Sequence, residues 1–157
     1  MKSVVLGILI ILFACDKKNV ETSAKLVETS AFDSLLAKKI QADAYGMRQY
    51  VMAFLKEGPN RNQDSIEASK IQAAHMANIS RMAEEGKLVV AGPFMDDQEI
   101  KGIYIFAVNT LEEAENLTNT DPAVQAGRLI MELHPWYSSA ALMEVNNIHK
   151  KIAKENF

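Results

Sequence analysis

The chain has 157 residues, with 17 basic and 20 acidic side chains, a formal net charge of −3 and a hydrophobic share of 48%. This length accommodates one domain with a leader and a linker, and the lack of a Lys/Arg-rich block argues against a nucleic-acid partner. The single cysteine, Cys15, excludes an intrachain disulfide, so the hydrophobic core has to hold the folded part together.

The N-terminal segment has the proportions of a secretion signal. Lys2 provides a positive start, and an apolar run follows from Val4 to Phe13. A membrane-spanning helix needs roughly 20 apolar residues, so this run is too short to cross a bilayer. Its length is typical of the hydrophobic region of a signal peptide.

The signal ends in a stretch that resembles a lipobox, the motif after which a cysteine receives a diacylglycerol. The stretch is Leu12-Phe13-Ala14-Cys15, in which Phe13 is bulkier than usual at its position. We therefore predict a signal peptide over residues 1–14, a lipidated Cys15, and export to the inner or outer membrane of a bacterial cell envelope. The alternative is a conventional signal peptide followed by an incidental cysteine.

A polar segment and a short helix precede the domain. Residues 15–31 are mostly polar and predict a flexible tether. Residues 32–48 predict a short amphipathic helix that ends near Gly46. Its apolar side chains at helical spacing are Phe32, Leu35, Leu36 and Ile40.

Four apolar runs predict strands, and the segments between them predict helices. The predicted strands are Tyr50–Leu55, Lys87–Ala91, Ile103–Val108 and Leu129–Leu133, the last stopped by Pro135. The predicted helices are Ser65–Glu85, a second from Leu111 to about Leu117, a turn from Asp121 to Gly127, and a C-terminal tail over 138–157. The order β-α-β-β-α-β predicts an α+β, ferredoxin-like domain over residues 49–137.

The first three strands are apolar on both faces, which predicts a partner. Helices cover one face of such a sheet, and an exposed apolar patch on the other face would promote association. A second copy of the sheet is the simplest cover. We therefore expect a homodimer whose two sheets pack face to face.

Several short motifs, in this order and spacing, resemble the YCII (YciI-like) domain of the dimeric α+β barrel superfamily between residues 50 and 137. These motifs are Tyr50, His75, Ala91-Gly92-Pro93, Gly102, Asp121-Pro122, Ala126-Gly127 and Pro135-Trp136. The resemblance implies a site formed by His75 and Asp121. It also implies relatives that include lactone isomerases, dehydrochlorinases and small monooxygenases, beside many without a demonstrated reaction, so it does not assign a chemistry.

Both candidate catalytic residues also have a structural interpretation. His75 interrupts an apolar helical stripe, where an imidazole is either a general acid or base or a core side chain satisfied by a hydrogen bond. Asp121 precedes a proline at a helix start, which is ordinary capping chemistry. Taken alone, the residues leave both interpretations open.

The remaining histidines, His134 and His149, are weaker candidates. A metal site needs three or four converging ligands, and no close-spaced pair such as HxxxH is present. We therefore expect neither a metal nor another cofactor.

Two functions follow as hypotheses. The first is an exported, cofactor-independent enzyme in which His75 and Asp121 act as an acid-base pair on a small carbonyl-bearing or aromatic molecule, by isomerisation or elimination. The alternative is a non-catalytic small-molecule-binding or stress-related lipoprotein that uses the same cavity. A structural dimer without a ligand is a third interpretation.

Overall fold

The computed structural model describes residues 32–155. The predicted leader (1–14), the lipidation site Cys15 and the predicted tether (15–31) lie outside the described residues. Within residues 32–155, no helix combines the length and the apolar character needed to cross a membrane.

One antiparallel sheet carries the fold. Its strands are β1 (Met47–Glu57), β2 (Leu88–Pro93), β3 (Ile100–Phe106) and β4 (Leu129–Ser139). The α-helices are α1 (Ser34–Lys39), α2 (Ser65–Glu84), α3 (Leu111–Thr118), α4 (Pro122–Gln125) and α5 (Val145–Ile152), and a 3-10 helix spans Ala140–Glu144. The strand order is β2-β3-β1-β4. The predicted α+β, ferredoxin-like plan is confirmed.

Local capping signals set the two ends of α2 close to the predicted boundaries. The Asp64 carboxylate accepts hydrogen bonds from the backbone N–H groups of Ile66 and Glu67 at 2.9 and 2.8 Å, which starts α2. Gly86, at a φ of +67°, ends it, because glycine adopts this left-handed conformation without strain. Helix α2 therefore ends one residue before the predicted boundary.

Side-chain alternation along β1 divides the core into two clusters. Val51, Ala53 and Leu55 face the helices and pack with the α2 residues Ile79 and Met82. This helix-side cluster continues across β3 through Tyr104 and Phe106. Because α2 packs against this face, its inward side chains approach the β3 residues that share the cluster.

The second face of the sheet is partly covered by the chain itself. Tyr50, Val89 and Ile105 are buried there beneath Leu142 and Met143 of the 3-10 helix. We expected a second copy of the sheet to cover this face, and at this end the C-terminal segment already does so. Helix α5 also contacts the edge strand β2, since the Asn146 side-chain amide donates a hydrogen bond to the Leu88 carbonyl at 2.8 Å.

The predicted end of β4 at Pro135 is wrong. The strand continues to Ser139, with Pro135 opposite Val51 in the register with β1. β4 is an edge strand with only β1 beside it. A proline, which has no backbone N–H, is therefore tolerated at a position whose N–H would point away from β1. The β2–β3 hairpin also differs from its prediction, since β2 extends to Pro93 and β3 begins at Ile100.

The predicted helix over residues 32–48 is too long. Helix α1 spans only Ser34–Lys39, and Gln41 follows with a φ of +58°, a conformation that stops a helix. The strand β1 then begins at Met47. The predicted C-terminal helix over 138–157 is shorter as well, because β4 occupies its first residues and α5 ends at Ile152.

Candidate active site

The two predicted site residues, His75 and Asp121, lie in contact. His75 is on the sheet-facing side of α2, and Asp121 is the N-cap of α4. The His75 Nδ1 atom is 2.9 Å from Oδ1 and 2.8 Å from Oδ2 of Asp121. The packing of α4 against α2 therefore joins two side chains that are 46 positions apart in the chain.

Asp121 is completely buried, and its hydrogen bonds account for its position. Its Oδ1 accepts the backbone N–H of Ala123 at 2.8 Å, which is the cap of α4, and both carboxylate oxygens face His75. A buried carboxylate is costly unless it is paired and hydrogen-bonded. Since an ionised carboxylate only accepts, His75 Nδ1 donates to it, and in the neutral ring Nε2 is left as the acceptor.

Tyr104 is the third member of this group, and the sequence analysis missed it. Its hydroxyl oxygen is 3.3 Å from His75 Nε2, and the two rings lie 6.3 Å apart with an angle of 19° between their planes. Burial raises the pKa of the Tyr104 hydroxyl well above its usual range, and the negative charge of Asp121 raises it further. A hydrogen bond with the Asp121 carboxylate adds to the rise, so the hydroxyl stays protonated, with Asp121 and the Nε2 atom of a neutral His75 ring as its acceptors.

A sequence signal for Tyr104 exists, although it is weak. The residue alternates with Phe106 on the helix-facing side of β3, where the side chains are otherwise apolar. A buried tyrosine hydroxyl normally finds a hydrogen-bond partner. The sequence therefore indicates that the Tyr104 hydroxyl has a hydrogen-bond partner on that face, but it does not identify the partner as His75.

A cavity of about 450 Å³ opens beside the pair, between α2 and the β2–β3 hairpin. Its lining residues are Leu55, Gln72, His75, Met76, Ile79, Ala91, Gly92, Pro93, Lys101, Gly102, Tyr104 and Leu129. Gln72, Ala91 and Pro93 are exposed and mark the mouth, whereas His75 and Tyr104 are buried within it. Asp121 is not among the lining residues, but it interacts with two residues that are, His75 and Tyr104.

Two glycines permit the close approach that holds α4 in place. The Gly58 N–H donates to the Arg128 carbonyl at 2.8 Å, and a Cβ atom on Gly58 would overlap the carbonyl oxygen of Gly127. Gly127 itself has a φ of +67°. This junction connects the end of β1 to the segment that follows α4, and so it helps to fix the position of Asp121.

The other two histidines lie away from the cavity. His134 is on the second face of the sheet, with Nε2 at 2.8 Å from Glu132 and its ring 5.5 Å from that of Phe54. His149 lies on α5 in a groove beside Ile79 and Ala83. Among residues 32–155, no three His, Cys, Asp or Glu side chains converge as a metal-binding group.

One family of known proteins matches the domain. The model of the YCII-related domain matches residues 50–137 of the chain. A search of curated proteins finds no match. One solved structure is 5-chloro-2-hydroxyhydroquinone dehydrochlorinase from Burkholderia phenoliruptrix in complex with 2,5-dihydroxybenzoquinone, at 18% identity and a TM-score of 0.42, covering 57% of this chain and 93% of that chain. A likeness of this degree transfers neither the reaction nor the ligand of that enzyme to this chain.

Proposed function

The chain belongs to the YCII-related domain family, and we propose that it is a cofactor-independent acid-base enzyme acting on a small carbonyl-bearing or aromatic molecule. One observation carries the proposal. His75 presents an imidazole to an apolar cavity, while a fully buried carboxylate holds its Nδ1 at 2.8 Å. A purely packing histidine needs one hydrogen-bond partner and no cavity.

In the proposed reaction, His75 Nε2 accepts a proton from an O–H or C–H group of the ligand. The Asp121 carboxylate holds the ring in the required tautomer and stabilises the imidazolium that forms, without taking the proton itself. In an isomerisation His75 returns the proton to another atom of the ligand. In an elimination an anion leaves from the carbon next to the one that lost the proton. A positioned general base contributes about 10²–10⁴-fold in rate.

Hydrogen exchange tests the proton transfer directly. The full chain in mild detergent is incubated in D₂O with a set of enolisable ketones and hydroxyarenes, and deuterium incorporation is followed by NMR. We expect the wild type to accelerate exchange in at least one compound, His75→Gln to abolish the acceleration, and Asp121→Asn to reduce it. His149→Gln is the matched control, because His149 is outside the cavity, and it should exchange like the wild type.

The outcomes separate the two main hypotheses. Equal exchange in the wild type and in His75→Gln would overturn the proposal. Compounds that raise the unfolding temperature of the wild type without any exchange would also overturn it, and would support non-catalytic binding in the same cavity. One observation favours non-catalytic binding. The His75 side chain is only 9% exposed, and its Nε2 atom already contacts the Tyr104 hydroxyl, so the imidazole has partners for both nitrogens without a ligand.

We further propose that the protein is exported and anchored by a lipid on Cys15. The support is in the sequence: Lys2, the apolar run Val4–Phe13 and the lipobox-like Leu12–Cys15. A modified cysteine of this kind carries at least two acyl chains, which is enough for stable attachment to a membrane.

We also propose that the domain is a homodimer through the part of the second face that the C-terminal segment leaves open. On this part of the face, the Ile130 side chain is 50% exposed and Phe54 is half-buried. Ile130 is opposite Lys56 in the β1–β4 register, and Lys56 alternates to the same face as Phe54. A second copy of this face would remove these apolar side chains from water.

A further inference from the structure

Helix α1 has no buried side chain within Ser34–Lys39. Its two leucines are exposed, Leu35 by 80% and Leu36 by 39%, and only Ile40, directly after the helix, is buried. Isolated helices shorter than roughly 12 residues are marginal in water, so a helix of 6 residues needs contacts outside itself. The exposed leucines therefore offer an apolar surface to a partner.

Two exposed tyrosines lie close to this helix. Tyr45, in the loop between α1 and β1, is 87% exposed, and Tyr137, near the end of β4, is 55% exposed. Asp43 holds both, since its carboxylate accepts the backbone N–H of Tyr45 at 2.8 Å and the hydroxyl of Tyr137. Tyrosine rings are enriched where a membrane meets water, because the ring is apolar and its hydroxyl is polar. With Leu35 and Leu36, these tyrosines form what we term the α1 surface.

Basic side chains accompany the α1 surface. Lys38 and Lys39 are in the last turn of α1. The Lys39 ammonium is 2.9 Å from Glu144, the residue directly before α5, so the two helices are neighbours. Lys150 and Lys151 follow in the last turn of α5, about 10 Å from its start. This part of the domain therefore combines exposed apolar groups with positive charge.

The strand register places the α1 surface and the cavity towards opposite ends of the sheet. Met47, where β1 begins after α1, is opposite Ser139, the last residue of β4. Glu57, the last residue of β1, is opposite Leu129, which lines the cavity. At about 3.3 Å per residue, the 11 residues of β1 span roughly 35 Å between these two ends.

The cavity end has the opposite charge. The tip of the β2–β3 hairpin lies at this end, because Lys56 is opposite Ile100 in the β1–β3 register. The tip carries the carboxylates of Asp96, Asp97 and Glu99. A surface of anionic lipids attracts basic groups and repels acidic ones. Such a surface therefore favours the α1 surface over the hairpin tip.

We infer that the α1 surface docks on an anionic phospholipid bilayer and that the cavity opens away from it, into water. The inference rests on the proposed lipid anchor at Cys15. Residues 16–32 connect Cys15 to Asp33, the first residue of the compact domain. A flexible tether of this length has an average reach of about 20–25 Å, so the anchor keeps the domain close to the lipid and a weak attraction suffices. The ligand of the cavity then comes from the aqueous compartment.

Fluorophores at two positions test this orientation. The full, membrane-extracted chain is reconstituted in phosphatidylcholine vesicles that contain phosphatidylglycerol and lipids with brominated acyl chains, which quench fluorophores that contact them. A thiol-reactive fluorophore is attached to Leu35→Cys or, as the matched control, to Met95→Cys. Met95 is 97% exposed on the hairpin at the cavity end. A lipidated Cys15 has no free thiol, so only the introduced cysteine is labelled. We expect quenching at position 35 and none at position 95.

A charge reversal tests the electrostatic part of the inference. Lys38→Glu should lower the ratio of docked to undocked chains by about fivefold or more, since a basic side chain near an anionic surface contributes about 1 kcal/mol. Lys70→Glu makes the same change at an exposed residue of α2 and should leave the quenching at position 35 unchanged. Equal losses in the two variants would overturn the role of the α1 surface.

The other outcomes are also decisive. Equal quenching at positions 35 and 95 would overturn the orientation. A disulfide between two copies of unlabelled Leu35→Cys would identify a second copy as the partner of α1 and overturn the docking on lipid. Mass spectrometry of the same sample reports the anchor. A lipid on Cys15 without quenching at position 35 would overturn the inference and leave the anchor standing, whereas an unmodified Cys15 would overturn both.

Discussion

His75 on α2 and Asp121 at the start of α4 form a direct hydrogen bond, with Nδ1 2.8 Å from Oδ2, and this bond joins the two helices across the helix-side layer. The carboxylate has no exposed surface, so its pairing matters for folding as well as for chemistry. We therefore expect the loss of this pair to affect the stability of the fold as well as the chemistry of the site.

The first prediction concerns stability. Asp121→Asn keeps a capping side chain but removes the charge that pairs with His75, and we expect it to lower the free energy of unfolding by about 2 kcal/mol or more. The matched control is Asp64→Asn, since Asp64 caps α2 in the same way while exposed to solvent. Asparagine caps nearly as well as aspartate, so the control should cost little. Denaturant unfolding gives both values, and similar losses in the two variants would show that the pair adds nothing beyond the cap.

The second prediction concerns alkaline pH. Burial raises the pKa of Tyr104 in the folded protein above its unfolded value of 10.0. Its stabilising contribution is therefore complete below that pH and declines as the pH rises, because the unfolded state loses the proton first. The free energy of unfolding should fall by up to about 1.4 kcal/mol per pH unit for such a group.

Tyr104→Phe should make this decline shallower, without abolishing it, because Tyr50 and Tyr137 also have raised pKa values. Burial is the main cause for Tyr50, and the hydrogen bond to Asp43 is the main cause for Tyr137. Tyr45→Phe is the control, because Tyr45 is 87% exposed. Denaturant unfolding between pH 9 and about 11 measures the slopes. An unchanged slope in Tyr104→Phe would contradict the assignment.

The third prediction tests the glycine junction near α4. Gly58→Ala should destabilise the protein by about 1–3 kcal/mol, because its Cβ would overlap the Gly127 carbonyl and the backbone has to move. Gly92→Ala is the comparison, since nothing lies within 4 Å of the Cβ it would add. That variant should unfold within about 0.5 kcal/mol of the wild type, as substitutions without a specific clash usually do. A mild effect at Gly58 would mean that the junction yields easily and does not fix α4.

The fourth prediction concerns the anchor. Cys15→Ser should abolish lipid attachment, so that the protein leaves the detergent phase or stays unprocessed with its signal peptide. Mass spectrometry of the mature N-terminus and detergent partitioning measure the two effects. Asp16→Asn is the control, since it changes the neighbouring residue and keeps the thiol. Unchanged mass and partitioning in Cys15→Ser would contradict lipidation.

The fifth prediction concerns assembly. If the open part of the second face joins two copies, Ile130→Glu should convert a dimer into a monomer, because it removes an apolar contact and adds a second carboxylate beside Glu132 on the same face of β4. Ile66→Glu introduces the same charge at a residue of α2 that is 67% exposed, and it should leave the dimer intact. Light scattering at micromolar concentration distinguishes the states. A monomeric wild type would remove the argument for this interface.

The ends of the main helices were predictable from the sequence, because capping depends on residues only a few positions apart. Asp64 and Gly86 fix the two ends of α2, and Thr110 with Glu113 forms the capping box that starts α3. The order of the strands and helices then restricts the fold to few topologies. The family resemblance pointed to His75 and Asp121, and the structure brings them into contact.

Other features depend on neighbours that are distant in the sequence. A proline would interrupt a strand in the middle of a sheet. Pro135 is tolerated in β4, because the strand order places β4 at an edge. Tyr104 contributes to the site only because β3 passes beneath α2, and the 3-10 helix covers Tyr50 only because β4 extends to Ser139. The sequence by itself determined the type and order of the domain's elements and the two ends of α2, since periodicity and capping are local. The tertiary structure alone decided which polar groups share a cavity, because that depends on how the helices pack across the sheet.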